Sequence, residues 1–274
     1  MRKAKFVLVF LMIAVMTVSL LSGCGGGAKE QSADKASGNA EEIVIGIYLP
    51  MTGQNAAGGQ MSMEGINLAH EHKGEVLGKP IRLVLVDDKS DKVEAANAVT
   101  RLIDKEKAVG IIGSYASYLA IPGSEVANKA GIPMIANTAT NPLVTQGKEF
   151  VFRACFIDPL QGTALANFAV EDLGAKTAMI ILDRANDYSV GLANYFKESF
   201  EKATGNEVEE IKYNSGDQDF TAQLTVVKGK NPDVLFIPAG SYGDAGLIAK
   251  QARDLGITSV FMGGDTWDTP EFAE

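Results

Sequence analysis

Ile43-Val44-Ile45-Gly46-Ile47-Tyr48-Leu49 decides the fold. It is an apolar, β-rich run broken only by Gly46, and it reads as a buried strand. Pro50-Met51-Thr52-Gly53 follows as turn chemistry, and a helical pattern is expected over 61–71. The same unit then recurs. Strand patterns fall at 81–86, 109–113, 132–136 and, as an extended run, 150–156. Helical patterns fall at 92–105 and 116–129. In the first of these helices Val93, Ala96, Val99, Leu102 and Ile103 share one face. A second series begins with a helix at 160–173. Strands are expected at 177–182, 207–213, 234–237 and 260–262, and helices at 190–203, 220–228 and 244–255. Repeated strand–helix units imply a mostly parallel sheet covered on both faces. Two series imply two α/β lobes, 42–157 and 158–274, joined near Asp158.

Upstream, Arg2, Lys3 and Lys5 precede an apolar stretch from Phe6 to Leu21. Basic-then-apolar order, with a run short for a membrane span, is that of a secretory leader over 1–23. An uncleaved anchor helix is the alternative. The small polar segment 24–41 reads as a flexible tether. The 274 residues are 46% hydrophobic and 22% charged, which excludes a disordered or collagen-like chain. The net charge is −9, and loss of the three basic residues of the leader takes it to −12. Such a body has no electrostatic footprint for nucleic acid. Two cysteines exclude a disulfide-stapled scaffold.

In open α/β sheets ligands bind where strands end and helices begin. The loops that matter therefore follow Leu49, Gly113, Ala136, Leu182, Ile237 and Met262. They contain no phosphate-cradling Gly-Lys-Ser/Thr motif and no dinucleotide fingerprint, so no cofactor is expected. His70 and His72 are two apart on a helix and do not share a face, so no metal is expected there. Asp87-Asp88-Lys89-Ser90-Asp91 lacks the glycine and spacing of a calcium loop; Ser90 or Asp91 instead caps the helix at Lys92. Gly240-Ser241-Tyr242-Gly243, preceded by Ala239, approximates a nucleophile elbow. No histidine follows it, which argues against a hydrolase and for a non-enzyme.

The loops after Gly113 and Ala136 are rich in hydroxyls: Ser114-Tyr115-Ala116-Ser117-Tyr118 and Asn137-Thr138-Ala139-Thr140-Asn141. Both precede helices, whose first N–H groups are unpaired and partly positive. Such a neutral pocket suits a carboxylate, although plain helix capping uses the same residues. The second series offers Asp187-Tyr188, Ser241-Tyr242 and Asp265-Thr266-Trp267. An acidic group with aromatic neighbours suits an ammonium and an apolar side chain. A carboxylate site on one lobe and an ammonium site on the other describe an amino acid, whose binding favours a closed cleft.

These residues, taken in order, resemble the type I periplasmic binding proteins, in particular the branched-chain amino acid branch of ABC-transporter solute-binding proteins. The matching pieces include Ile45-Gly46 with Leu49-Pro50-Met51-Thr52-Gly53, Ile112-Gly113 with Ser117, and Ile132-Pro133-Met134-Ile135 with Thr138-Ala139-Thr140. They continue with Phe152-Arg153, Asp158, Gln161-Gly162, Asp187-Tyr188, Gly216-Asp217-Gln218-Asp219-Phe220 and Met262-Gly263-Gly264-Asp265. The resemblance implies two doubly wound lobes around a cleft. Ser117 and Thr140 would hold the ligand carboxylate, the Thr138 carbonyl and Asp265 the ammonium. Tyr188, with Ser241 or Tyr242, would line the pocket from the second lobe. Tyr115 and Ala116 would sit near the side-chain pocket, and Asp158 at the hinge. Leu21-Ser22-Gly23-Cys24 resembles a lipobox, which implies lipidation of Cys24 and an extracytoplasmic, membrane-anchored monomer. Its partners would be an ABC permease and its ATPase. An amide or urea receptor, or a sensor domain of the same fold, is the alternative. The family continues well beyond Glu274, so a missing carboxyl-terminal part and uncovered sheet surface are expected.

Overall fold

The computed structural model describes residues 41–273. The leader, Cys24 and nearly all of the tether lie outside them. The first sheet has the order β2-β3-β1-β4-β5-β6, formed by Ile43–Leu49 (β1), Glu75–Val76 (β2), Lys79–Asp87 (β3), Gly110–Gly113 (β4), Met134–Ala136 (β5) and Val151–Arg153 (β6). All pairings are parallel except β2 with β3. The second sheet has the order β10-β9-β7-β8, all parallel, from Ala178–Asp183 (β7), Glu209–Tyr213 (β8), Val234–Ile237 (β9) and Val260–Gly263 (β10). In both sheets the first strand is central. The chain moves to one side of it and then returns to the other, which creates a switch point at the strand ends.

The helices depart from expectation in informative ways. Helix α1 spans Ala56–His72, starting five residues before the expected position. Gly58 and Gly59 weaken the helical pattern but are demanded by packing. A Cβ at Gly59 would lie 2.0 Å from the Pro50 carbonyl oxygen, and one at Gly58 2.2 Å from the Tyr115 ring. Helix α2 (Lys92–Asp104) is capped by Asp91, whose carboxylate accepts from the N–H groups of Val93 and Glu94 at 2.8 and 2.9 Å. Its buried face is Ala95, Ala98, Val99 and Leu102; Val93 is 66% exposed, contrary to the expected phase. Helix α3 spans Ser117–Ala130. The short strand β2 was not anticipated; a turn through Leu77 and Gly78, both at positive φ, folds it onto β3.

Helix α4 (Asp158–Asn167) runs into a π-helical turn, Phe168–Asp172. Helix α5 spans Asp187–Thr204, α6 Thr221–Lys230, α7 Tyr242–Asp254 and α8 Pro270–Ala273. The second sheet carries apolar clusters on both faces. Phe196, Phe200 and Phe236 pack with α4 and α5 on one face; Tyr213, Phe220, Leu235 and Ile248 pack on the other. The first sheet has one cluster, built on Tyr48, Leu102, Leu119 and Met134. On its opposite face Leu85, Ile47, Ile112, Ile135 and Phe152 stand in register. Ile47 is buried there, whereas Leu85, Ile135 and Phe152 are 38%, 46% and 54% exposed.

Candidate functional site

The ends of the two sheets meet at a small cavity lined by Tyr115, Ala116, Ser117, Tyr118, Thr138, Thr140, Asn186, Tyr188, Gly240, Asp265 and Thr266. Ser117, Tyr118 and Tyr188 lie in the first turns of α3 and α5, Asp265 and Thr266 in a short 3-10 turn after β10, and the rest in loops that follow strands. That is where a doubly wound sheet concentrates free backbone groups.

The first-sheet wall is neutral. Ala116 precedes α3 and supplies no side-chain cap, so the first N–H groups of the helix are left for another acceptor. The buried Ser117 hydroxyl oxygen accepts from the Asn141 N–H at 3.1 Å, which fixes its position and leaves its proton free to donate. Thr140 is buried beside it. Thr138 spends its hydroxyl on the Tyr115 carbonyl at 2.7 Å. Tyr118 is locked by Ser90, Gln54 and Asn55, and burial pushes its pKa up to about 12.

The second-sheet wall is acidic. Oδ1 of Asp265 accepts from the Tyr188 hydroxyl at 2.7 Å and from Gln161 Nε2 at 2.8 Å. The Gln161 side-chain oxygen in turn accepts from the Asp265 N–H at 3.3 Å. One carboxylate oxygen is thus anchored, which leaves Oδ2 available as an acceptor. Burial raises the Asp265 pKa, and the Tyr188 hydroxyl opposes the rise. Gly264 is obligatory, because a Cβ there would come 2.0 Å from the Tyr188 hydroxyl oxygen.

Seven of the nine expected pocket residues line the cavity: Tyr115, Ala116, Ser117, Thr138, Thr140, Tyr188 and Asp265. Ser241 and Tyr242 do not. The Ser241 hydroxyl is turned to the Asp244 N–H as the cap of α7, and Tyr242 begins that helix, half-buried away from the lining. Asp187 is not an unpaired acid at the cleft; it pairs with Lys92 at 2.9 Å. Tyr118, Asn186, Gly240 and Thr266 line the cavity as well; Tyr118 and Thr266 stand in the expected loops without an assigned role, and Asn186 and Gly240 were not expected there. Asn186 caps α5 by accepting from Tyr188 and Ser189 N–H groups at 3.1 and 3.3 Å, a signal readable in the sequence. A Cβ at Gly240 would meet Asn186 Nδ2 at 2.1 Å.

The lobes touch across the cleft. Asn141 Nδ2 donates to the Asp187 carbonyl at 2.7 Å, Lys92 reaches the Ala185 carbonyl at 3.3 Å, and the Asn55 amide lies 3.3 Å from the Gly240 carbonyl oxygen. Among the described residues no cluster of His, Cys, Asp or Glu is placed to hold a metal, and no helix is long and apolar enough to cross a membrane.

A family model described as periplasmic binding protein matches residues 42–271. An amino acid binding protein of Pseudomonas aeruginosa is 34% identical over 236 residues, 85% of this chain and 63% of that protein. The crystal structure of a leucine binding protein from Thermotoga maritima superposes with a TM-score of 0.82 at 48% identity, over 84% of this chain and 65% of the other. A branched-chain amino acid transporter substrate binding protein from Streptococcus pneumoniae, solved with isoleucine, gives a TM-score of 0.78 at 35% identity, over 85% and 67%. The chain thus spans just under two thirds of the first two relatives' own length.

Proposed function

The chain belongs to the periplasmic binding protein family, and from that membership and the cavity's chemistry we propose that it captures an amino acid, of branched-chain type, between its two lobes. The observation that carries this reading is the division of charge. Neutral donors (Ser117, Thr140 and the free N–H groups of α3) face a half-buried, half-anchored carboxylate at Asp265. A zwitterion satisfies both walls only when they meet. The Thr138 carbonyl is a second acceptor for the ammonium. Tyr115, Ala116 and Tyr118 offer apolar surface to the side chain. The relatives that bind leucine and isoleucine favour the branched-chain class.

No bond in the ligand changes. Closure is the whole mechanism, because ligand contacts from both lobes exist only in the closed form. We place the protein outside the cytoplasmic membrane, anchored through lipid on Cys24 and handing its ligand to an ABC permease and its ATPase as a monomer.

A thermal-shift screen of the full chain over amino acids and amides tests this. An amino acid of branched type raises the melting temperature by mass action. Asp265→Asn weakens that ligand by roughly 100-fold, the order expected for loss of a charge-assisted contact in a dry site. A shift from amides but from no amino acid removes the ammonium role of Asp265.

A further inference from the structure

Asp158 opens α4 behind the cavity wall, its N–H donating to the Thr140 carbonyl at 3.1 Å. It is wholly excluded from solvent, and neither of its carboxylate oxygens has a hydrogen-bond partner. A buried ionised carboxylate without donors is strongly disfavoured, so the group tends to hold a proton. Its neighbours do not neutralise it. Arg153, from β6, is spent on the carbonyls of Ala139 and Asn141 and on the Thr145 hydroxyl. Asp265, from the turn after β10, adds like charge, and Tyr188, from α5, is a neutral phenol already bound to Asp265. Asp187 on α5 is paired with Lys92, and the Cys155 thiol with the Ala139 carbonyl. Burial first, then Asp265, lift the Asp158 pKa to about 7; the Thr140 hydroxyl and Arg153 oppose the rise. That hydroxyl is close enough to act on Asp158, yet falls short of a well-formed hydrogen bond.

Thr140 has one hydroxyl proton to give. An ionised Asp158 claims it and turns it away from the cavity. A neutral Asp158 has a proton of its own to donate to Thr140 Oγ1, which releases the threonine proton toward the cavity. We propose that Asp158 is a positioning residue: its neutral carboxyl donates to Thr140 Oγ1 and so aims the threonine hydroxyl at the ligand carboxylate, making capture proton-linked. The inference rests on the reading of Thr140 as a carboxylate contact. Asp265 acts in the opposite sense, since it holds an ammonium only when ionised, so its protonation weakens binding on the acid side.

Calorimetric titration of the full chain with L-leucine between about pH 6 and about pH 8.5 tests the link. The wild-type Kd rises roughly tenfold across that window, as the proton that orients Thr140 is lost. Asp158→Asn, whose amide N–H donates at every pH, removes the rise. Thr140→Val also removes it, from a weaker starting affinity, and gives an independent readout should the asparagine variant fold poorly. L-leucine binding that is flat with pH in the wild type, or a rise that persists in either variant, overturns the proposal while leaving the amino-acid site intact. Absence of L-leucine binding at every pH strikes the underlying reading, and the inference falls with it.

Discussion

The two sheets share one winding pattern and differ in how they are covered. The second is sandwiched. Every residue of β7 and β9 is buried, and Phe236 stacks on Phe196 with ring centroids 4.2 Å apart. The first has one packed face, and on the other Ile47 is buried while Ile135 and Phe152 are open. Parallel strands ordinarily bury both faces, so the pattern of the first sheet is that of a buried sheet with part of its cover absent among the described residues. The cavity is insulated from this asymmetry. It is built at the strand ends, where loop and helix-terminal groups from both sheets meet.

The sharpest break of that comparison is a pair of truncations. Phe236→Ala removes a fully buried, stacked ring and is expected to cost about 3–5 kcal/mol in chemical denaturation. Phe152→Ala, on the half-open face, is expected within about 0.5–1 kcal/mol of wild type. Equal losses at the two sites contradict the difference in cover.

A second test concerns one buried acid in each half. Asp88 is fully buried, accepts from the Ser114 hydroxyl at 2.6 Å and the Ser90 N–H at 3.1 Å, and is raised to about 6 by burial, with Asp87 and Asp91 adding. Asp244 in the second half is raised to about 6, again chiefly by burial. A raised folded-state pKa means the native protein holds its proton more tightly than the unfolded chain. Stability therefore falls as pH climbs from about 4 to about 6 and stays lower above that. Asp88→Asn removes this loss and stabilises the protein by about 2 kcal/mol at pH 8 relative to its effect at pH 4. Melting curves at the two pH values read it directly; an equal effect at both counts against a protonated Asp88. The smallest expected effect is at the cleft rim. Lys92→Ala removes an exposed bridge to Asp187 and costs less than about 1 kcal/mol in stability.

The alternation of strands and helices was legible because apolar period and turn chemistry are local. So were the hydroxyl-rich loops that lead to Ser117 and Thr140, because each loop follows a strand directly. What stayed hidden depends on distant partners. Gln161 holds Asp265 from 104 positions away. Asp187 has no local partner in the sequence, but Lys92, 95 positions upstream, holds it. Gly58 and Gly59 read as helix-weakening because the Tyr115 ring and Pro50 that require them lie elsewhere in the chain. Ser241 was misplaced for the opposite reason. Hydroxyls before helices serve as caps or as ligand donors, and residue type alone does not separate the two. The phase of α2 slipped because small alanines, Ala95 and Ala98, form the buried stripe in place of the larger Val93.

The central claim is that opposite walls grip opposite ends of a zwitterion. Its most direct test is a side-by-side calorimetric titration of the full chain with L-leucine, with its amide, which lacks the carboxylate, and with its deaminated acid, which lacks the ammonium. The account predicts that each truncated analogue binds at least roughly 100-fold more weakly than L-leucine, because each leaves one buried wall unpaired. Binding of either analogue as tightly as L-leucine contradicts it.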